Sequence, residues 1–415
     1  MKIIDLNARQ IYDSRGNPTI EVELFLDGLK PSAKASVPSG ASKGKNEAME
    51  LRDKDGRVLT AVNIVNSVIK DAVVGRSFSS FVELDKFLLK LDGTENKSNL
   101  GANSILGVSI AGARAMAMKN RMPLFRSFLP EVSDYLLPLP LMNLINGGAH
   151  SNNGIATQEF MIIPKKFNSF ADSIWAASKV FHALKSLLVK KSFSTAVGDE
   201  GGFAANINNE KEALDLLIQS IELAGYRPGE DIFIALDFAA NEFYRDGHYY
   251  ISGHKLNSAE MIDFITDLYK KYPISSIEDP LAEEDRSAWR LLTERLGGSL
   301  QIVGDDIFVT NSKYLKTSID EKIGNSILIK PNQIGTLFET IETINLANQF
   351  DYTSIISHRS GETEDVTISH LAVGLGTGQI KTGSICRSER VAKYNELIRI
   401  EEKLGNNSRF AGKII

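Results

Sequence analysis

The chain has one cysteine, Cys386, in 415 residues, so no intrachain disulfide can form and a reducing compartment suits it. It has no long apolar run. The longest, Ile105–Ala113, is too short to span a bilayer and is closed by Arg114. It has no signal-peptide core either, since Met1-Lys2-Ile3-Ile4-Asp5 brings in an acid at once, and a soluble, cytoplasmic protein is expected. Neither sign of charge dominates. With 47 Lys and Arg against 52 Asp and Glu, a net charge of −5 points to neither nucleic acid nor an anionic membrane as partner. Nucleotide motifs fail too. Gly40–Gly44 followed by Lys45-Asn46 lacks the spacing and the Ser/Thr of a phosphate loop, and Gly374-Leu375-Gly376-Thr377-Gly378-Gln379 lacks the last glycine of a dinucleotide fingerprint. No two of the six histidines are spaced as a zinc pair on one helix.

The composition is 43% hydrophobic and 24% charged, that of a globular protein large enough to bury its own core. The first forty residues read as antiparallel strands. Ile20, Val22, Leu24 and Leu26 alternate with Glu21, Glu23 and Phe25, between turn signals at Ser14–Pro18 and Asp27-Gly28. Residues 59–120 follow with helical spacing, as in Val62, Val65, Val68 and Ile69. Strands first and helices second make an α+β domain. A segment with Pro130, Pro138 and Pro140 then places a boundary, dividing the chain into 1–128 and 129–415.

The second part is serial. Short apolar runs end in a polar residue and lead into helical segments: Ile232–Asp237, Ile274–Glu278, Gln301–Asp305, Ser326–Lys330, Thr353–His358 and Gln379–Lys381. Their ends lie 23 to 41 residues apart, the length of a strand, a helix and two loops. A closed β/α barrel fits this pattern, with an open doubly wound sheet as the alternative. In a barrel the polar strand ends meet at one mouth.

Asp237, Glu278 and Asp305 end three consecutive runs. Singly, each could cap a helix or anchor a turn. Jointly, three acids at one mouth repel one another unless a cation lies between them, and carboxylate oxygens suit a hard divalent ion such as Mg²⁺, Ca²⁺ or Mn²⁺. Asp279 and Asp306 adjoin them, and strand alternation turns one of each neighbouring pair away from the mouth. Lys330 and Lys381 also end buried runs. Either could extend to solvent. Crowded by each other and by a metal, their pKa values would fall, which suits a base that removes a proton next to a carboxylate. Arg359 and Ser360 suit phosphate or carboxylate, with a structural ion pair as the bland reading of Arg359. Val197-Gly198-Asp199-Glu200-Gly201-Gly202-Phe203 serves a turn as well as a site.

These residues lie in runs that resemble the enolases: Ala8–Glu23, Pro38–Ser42, Leu100–Ser109, Leu144–Asn153, Gln158–Ile162, VGDEGGF, ALDFAANEFY, SIEDPLAEED, QIVGDD, KPNQIGTLFE, SHRSGETED, GQIKTG and CRSERVAKYNELIRIEE. The resemblance covers nearly the whole chain. It implies an N-terminal α+β domain followed by an irregular (β/α)8 TIM-like barrel, and interconversion of 2-phosphoglycerate with phosphoenolpyruvate and water. It implies two Mg²⁺ per site, the second arriving with substrate. Asp237, Glu278 and Asp305 match ligands of the first ion, and Ser39, from the first domain, matches a ligand of the second. Lys330 matches the base at C2, and Glu200 the acid at the departing hydroxyl, supported by Glu159. His358 belongs to the same catalytic set. Lys381 matches a substrate contact, Arg359 and Ser360 the phosphate site, and His150 and Gln158 a mobile loop that closes on substrate. The pairing of a lysine or histidine base with magnesium is a general property of this superfamily.

Three positions depart from the family pattern: Lys43 where Thr is common, Asn241 where Ser is, and Pro331 where Val is. Two other classes of function stand beside the enolase reading. One is a barrel dehydratase or racemase acting on sugar acids, against which Arg359-Ser360 and the Ser39 loop argue. The other is a binding role, since the resemblance also allows surface or RNA-processing partners. It further implies a homodimer or octamer.

Overall fold

The structure is a computed structural model that describes residues 1–41, 44–129, 131–148 and 154–413. Lys43 and His150 lie outside the described residues. The N-terminal part is a three-stranded antiparallel sheet, β1 (Ile3–Tyr12), β2 (Pro18–Leu26) and β3 (Ala33–Ser36), covered by helices. The alternation of β2 decides which face is covered: Ile20, Val22, Leu24 and Leu26 are buried, while Glu21 and Glu23 lie on the other face and pair with Arg9 of β1.

Against the buried face lies α2 (Ala102–Lys119), on whose other side packs α1 (Phe81–Asp92). Most of α2 is buried, because it is wedged between the sheet and the rest of the chain. Small residues permit this approach. A Cβ on Gly107 would come within 2.5 Å of Val22, and one on Gly112 within 2.6 Å of Leu84.

The second part closes into an eight-stranded barrel of β4 (Leu139–Asn146), β5 (Glu159–Pro164), β6 (Ile232–Asp237), β7 (Ile274–Glu278), β8 (Gln301–Gly304), β9 (Ser326–Ile329), β10 (Thr353–Ser357) and β11 (Gly378–Lys381). The six serial runs are β6 to β11, and closure excludes the open sheet. The barrel is irregular at its start. Strand β5 runs antiparallel to both β4 and β6, whereas the other pairings are parallel. A helical pair, α3 (Phe170–Lys190) and α4 (Glu210–Leu223), then leads into β6. Later helices include α5 (Ser258–Lys271), opened by a reciprocal Asn257–Glu260 capping box, α6 (Leu337–Gln349), capped by Thr336, and α7 (Ser388–Leu404). Among the described residues no helix is long and apolar enough to cross a membrane.

The N-terminal part packs on the barrel through polar contacts. Arg114 pairs with Asp365 at 2.6 Å and Lys97 with Glu339 at 2.6 Å. Asp85 of α1 accepts the Phe338 amide at 2.9 Å, at the first turn of α6. Complete burial pushes the Asp85 carboxyl up to about 7. A folded-state pKa above the unfolded value of about 3.9 gives stability that is full below about pH 4 and is lost as pH rises through 7. Asp85→Asn is therefore expected to flatten this dependence. In urea melts the variant should gain on the parent between pH 5 and 8, by an amount of order 3 kcal/mol. Parallel stability curves for the two proteins would show that the Asp85 carboxyl is not buried as charge.

Candidate active site

Strand register brings the acids to one level. Glu159 pairs with Asp237, and Asp237 with Glu278, across β5, β6 and β7. Because β5 is antiparallel, Glu159 reaches the mouth from the start of its strand rather than the end. Lys381 ends β11 on another part of the ring and crosses the mouth. Its Nζ lies 2.7 Å from Glu278 Oε2, 2.9 Å from Asp237 Oδ2 and 3.1 Å from Glu159 Oε1. It is 2% exposed, so it does not extend to solvent. Lys330 follows β9, opens the short helix Pro331–Ile334 and pairs with Asp305. Pro331 sits at N1 of that helix, where the amide it lacks would have had no helical partner.

This geometry reverses one expectation. Neither lysine is left depressed, because carboxylate charge outweighs burial and the nearby cations at each. Burial pushes Lys381 down, but Asp237, Glu159 and Glu278 hold it well above the ordinary lysine value. Burial likewise pushes Lys330 down, and Asp305 more than offsets it. The acids divide. Burial, and then the charge of Asp237, pushes Glu278 well up, and burial with the charge of Glu200 does the same to Glu159. Burial would also raise Asp305, but Lys330 and Arg359 bring it below its usual value.

Strand alternation separates one neighbouring pair and not the other, since Asp305 and Asp306 both line the cleft whereas of Glu278 and Asp279 only Asp279 is among its lining residues. Asp279 and Asp306 line the same cleft as Asp237 and Asp305. The reason is local. β7 ends at Glu278 and Asp279 has a positive φ of 39°, while β8 ends at Gly304, before both aspartates. Asp279 spends both oxygens on backbone, accepting the amides of Asp305 at 2.8 Å and Asp306 at 2.9 Å. Asn241 donates to Asp306 at 2.9 Å and accepts from the Glu283 amide at 2.9 Å, two contacts for its one amide.

Glu200 comes from a loop rather than a strand, and its glycines are there for packing. A Cβ on Gly201 would meet the Cys386 carbonyl at 2.5 Å, and one on Gly202 the Asn146 side chain at 2.7 Å. The loop thereby lies against β4, with the Phe203 amide on the Leu144 carbonyl at 2.8 Å. Asn143 donates to Glu200 Oε2 at 3.3 Å, and His358 Nε2 lies 3.3 Å from Glu200 Oε1. Burial keeps His358 well below its ordinary pKa. Gln158 donates to Asp237 at 3.2 Å.

Arg359 makes the ion pair that its bland reading foresaw. Its guanidinium grips Glu47 of the N-terminal part at 3.1 and 3.2 Å and also donates to Asn332 at 3.2 Å. Ser360 Oγ accepts the Ala41 amide at 2.7 Å. Ser39 bridges to Gly361 through backbone bonds of 2.8 and 2.9 Å, but its hydroxyl donates to Glu50 and accepts from Arg52, each at 3.1 Å. Gly40 and Ala41, rather than Ser39, line the cleft. Glu47, Asn143 and Arg390 were not foreseen. Asn143 had only an ordinary strand context, and Glu47 acts from a segment that carries no period.

Two groups of described residues hold ligand atoms within 4.8 Å of one another, Glu159–Glu200–His358 and Asp279–Asp305–Asp306. Asp237 and Glu278 fall in neither group and are spanned by the ammonium of Lys381, while Asp305 also pairs with Lys330. The donor chemistry still fits magnesium. The oxygens are hard and buried, and a bound cation would favour the ionised form of Glu278, which burial and Asp237 disfavour.

An eight-stranded barrel whose mouth joins buried acids to two lysines has the layout of a barrel enzyme's active site. Residues 134–415 match the family described as Enolase, C-terminal TIM barrel domain, and residues 3–128 match Enolase, N-terminal domain. The chain belongs to the enolase family, whose members are Mg²⁺-dependent lyases.

Removing Lys381 should expose the cost of these acids. Lys381→Met leaves Glu159, Asp237 and Glu278 buried without their shared counter-charge, a loss of about 3–5 kcal/mol at neutral pH. Carboxyls with raised folded-state pKa values are least harmful when protonated, so the loss should grow as pH rises from about 4. Thermal melts at pH 5 and pH 8 check this, and equal melting of variant and parent at pH 8 in EDTA would contradict it.

Proposed function

We propose that this protein interconverts 2-phosphoglycerate and phosphoenolpyruvate plus water, as in glycolysis and gluconeogenesis. The observation that carries the reading is one cleft with a lysine, Lys330, an acid pair, Glu200 and Glu159, and the cations Lys381 and Arg359 between and around them. A C2 proton next to a carboxylate is very weakly acidic, and its removal puts a second negative charge on that carboxylate. Lys330 takes the C2 proton as the neutral amine, a form favoured once a cation takes Asp305 from it, and the C–H electron pair passes to the carboxylate. That pair then forms the C2–C3 double bond as the C3–O bond breaks, and Glu200 protonates the leaving hydroxyl, which departs as water. Glu159 beside Glu200 favours a retained proton on the acid pair, because two buried carboxylates resist ionising together. Lys381 stands against the substrate carboxylate. Arg359 and Ser360 take the phosphate, with Arg359 sharing its donors between phosphate and Glu47. Asp237, Glu278 and Asp305 would hold one Mg²⁺ and Ser39 a second arriving with substrate, and these ions would supply positive charge against the developing dianion. His150 and Gln158 belong to the segment that closes on substrate in this reading. The family resemblance also supports a cytoplasmic homodimer or octamer, which sedimentation would distinguish.

Phosphoenolpyruvate formation from 2-phosphoglycerate in Mg²⁺ should be readily measured and should vanish in EDTA. No turnover by well-folded protein, or turnover of a non-phosphorylated sugar acid instead, would overturn the reading. Lys330→Ala should abolish solvent exchange of the C2 proton. Glu200→Gln should keep that exchange while slowing dehydration by about 10²–10⁴-fold. Exchange surviving in Lys330→Ala would assign the base elsewhere.

A further inference from the structure

The run Cys386–Glu402 carries no function in the reading above, yet it supplies the most heavily engaged side chain beside the site. Arg390, in the first turn of α7, is fully buried. Its Nη1 lies 2.6 Å from His358 Nδ1 and donates to the Arg359 carbonyl at 2.6 Å. Its Nη2 donates to the carbonyls of Ser360 at 2.5 Å and Asp199 at 3.1 Å, and to Ser14 Oγ at 3.4 Å. It thus ties together the segments that carry His358, Glu200 and the N-terminal part. Gly383 makes room for it, since a Cβ there would meet Arg390 Cδ at 2.9 Å and the Glu200 carbonyl at 2.8 Å.

A guanidinium can only donate, and in a protein it keeps its proton. The contact with His358 Nδ1 is therefore attractive only when Nδ1 offers a lone pair. An Nδ1–H, in either the other neutral tautomer or the imidazolium, would set two donors against each other at 2.6 Å. The single imidazole proton must then sit on Nε2, the nitrogen 3.3 Å from Glu200 Oε1. That nitrogen is buried and has no formed hydrogen bond, so it is aimed at the carboxylate without yet being committed to it.

We propose that Arg390 is a positioning residue that locks His358 as the neutral Nε2–H tautomer, so that the imidazole faces Glu200 as a hydrogen-bond donor and cannot accept its proton. The catalytic consequence rests on the reading of Glu200 as the acid. As Glu200 gives its proton to the departing hydroxyl, the Nε2–H contact becomes charge-assisted, and Asn143 donates to the other oxygen. His358 thereby stabilises the spent acid rather than relaying its proton.

Long-range ¹H–¹⁵N correlation of the histidine rings, with His358 assigned by its loss in His358→Gln, tests the tautomer in the unmodified protein. The expected result is a protonated Nε2 and an unprotonated Nδ1. A protonated Nδ1 would overturn the proposal, whatever the substrate. Arg390→Met should release the lock, giving a detectable Nδ1–H population and a kcat lower by about ten- to a hundredfold with little change in KM. Arg390→Met with an unchanged tautomer would also overturn the proposal. Should that variant fail to fold, the spectrum of the unmodified protein still decides. A protonated Nε2 without 2-phosphoglycerate turnover supports the tautomer assignment while removing the proposed reaction, so the two can fail separately.

Discussion

Three buried carboxylates share one ammonium. Lys381 lies within 3.1 Å of Glu159, Asp237 and Glu278, and the rest of the mouth is arranged around that contact. Like charges in a low-dielectric interior are tolerable only with a counter-charge in their midst. A lysine held by three strands at once cannot be tuned downward by its environment. This is why it suits a fixed positive charge, whereas Lys330 has one ion-pair partner among the described residues, Asp305. The same constraint favours a divalent cation at this level, which would relieve both lysines of neutralising acids.

The barrel alone leaves the cleft open on one side. Gly40 and Ala41 line it from the N-terminal part, and Glu47 holds Arg359 in a two-point grip from the same part. Arg359 is therefore held in one orientation, and any anion that bound it would have to share it with Glu47. Gly361 shows how tight this junction is, since a Cβ there would come within 2.3 Å of Asp13 and 2.7 Å of the Ser39 carbonyl. The N-terminal part builds a wall of the site and positions one of its cations.

Glu200 and His358 obey a different logic from the strand-end acids. Glu200 arrives on a glycine loop pressed against β4, and His358 follows β10 under the control of Arg390 from α7. Hydrogen-bond donors face both: Asn143 donates to Glu200, and Arg390 Nη1 lies against His358 Nδ1. That environment suits a group whose charge changes during a reaction, whereas the Lys381 cluster suits charge that stays in place.

The sequence by itself determined the order of strands before helices, the six parallel strands from Ile232 to Lys381, the acids and lysines at their ends, and the buried face of β2. These follow from periods of two and 3.6 and from length, which are local properties. It did not show that β4 and β5 belong to the barrel. Their fully buried runs have no alternation, and β5 breaks the serial pattern by running antiparallel. Only the tertiary structure decided barrel closure, which of Glu278, Asp279, Asp305 and Asp306 share the cleft, and the direction in which each lysine is shifted. It also decided the grip of Glu47 on Arg359 and of Arg390 on His358. Each of these depends on distances between residues far apart in the chain, and a charge's behaviour is set by its nearest partner in space, not in sequence.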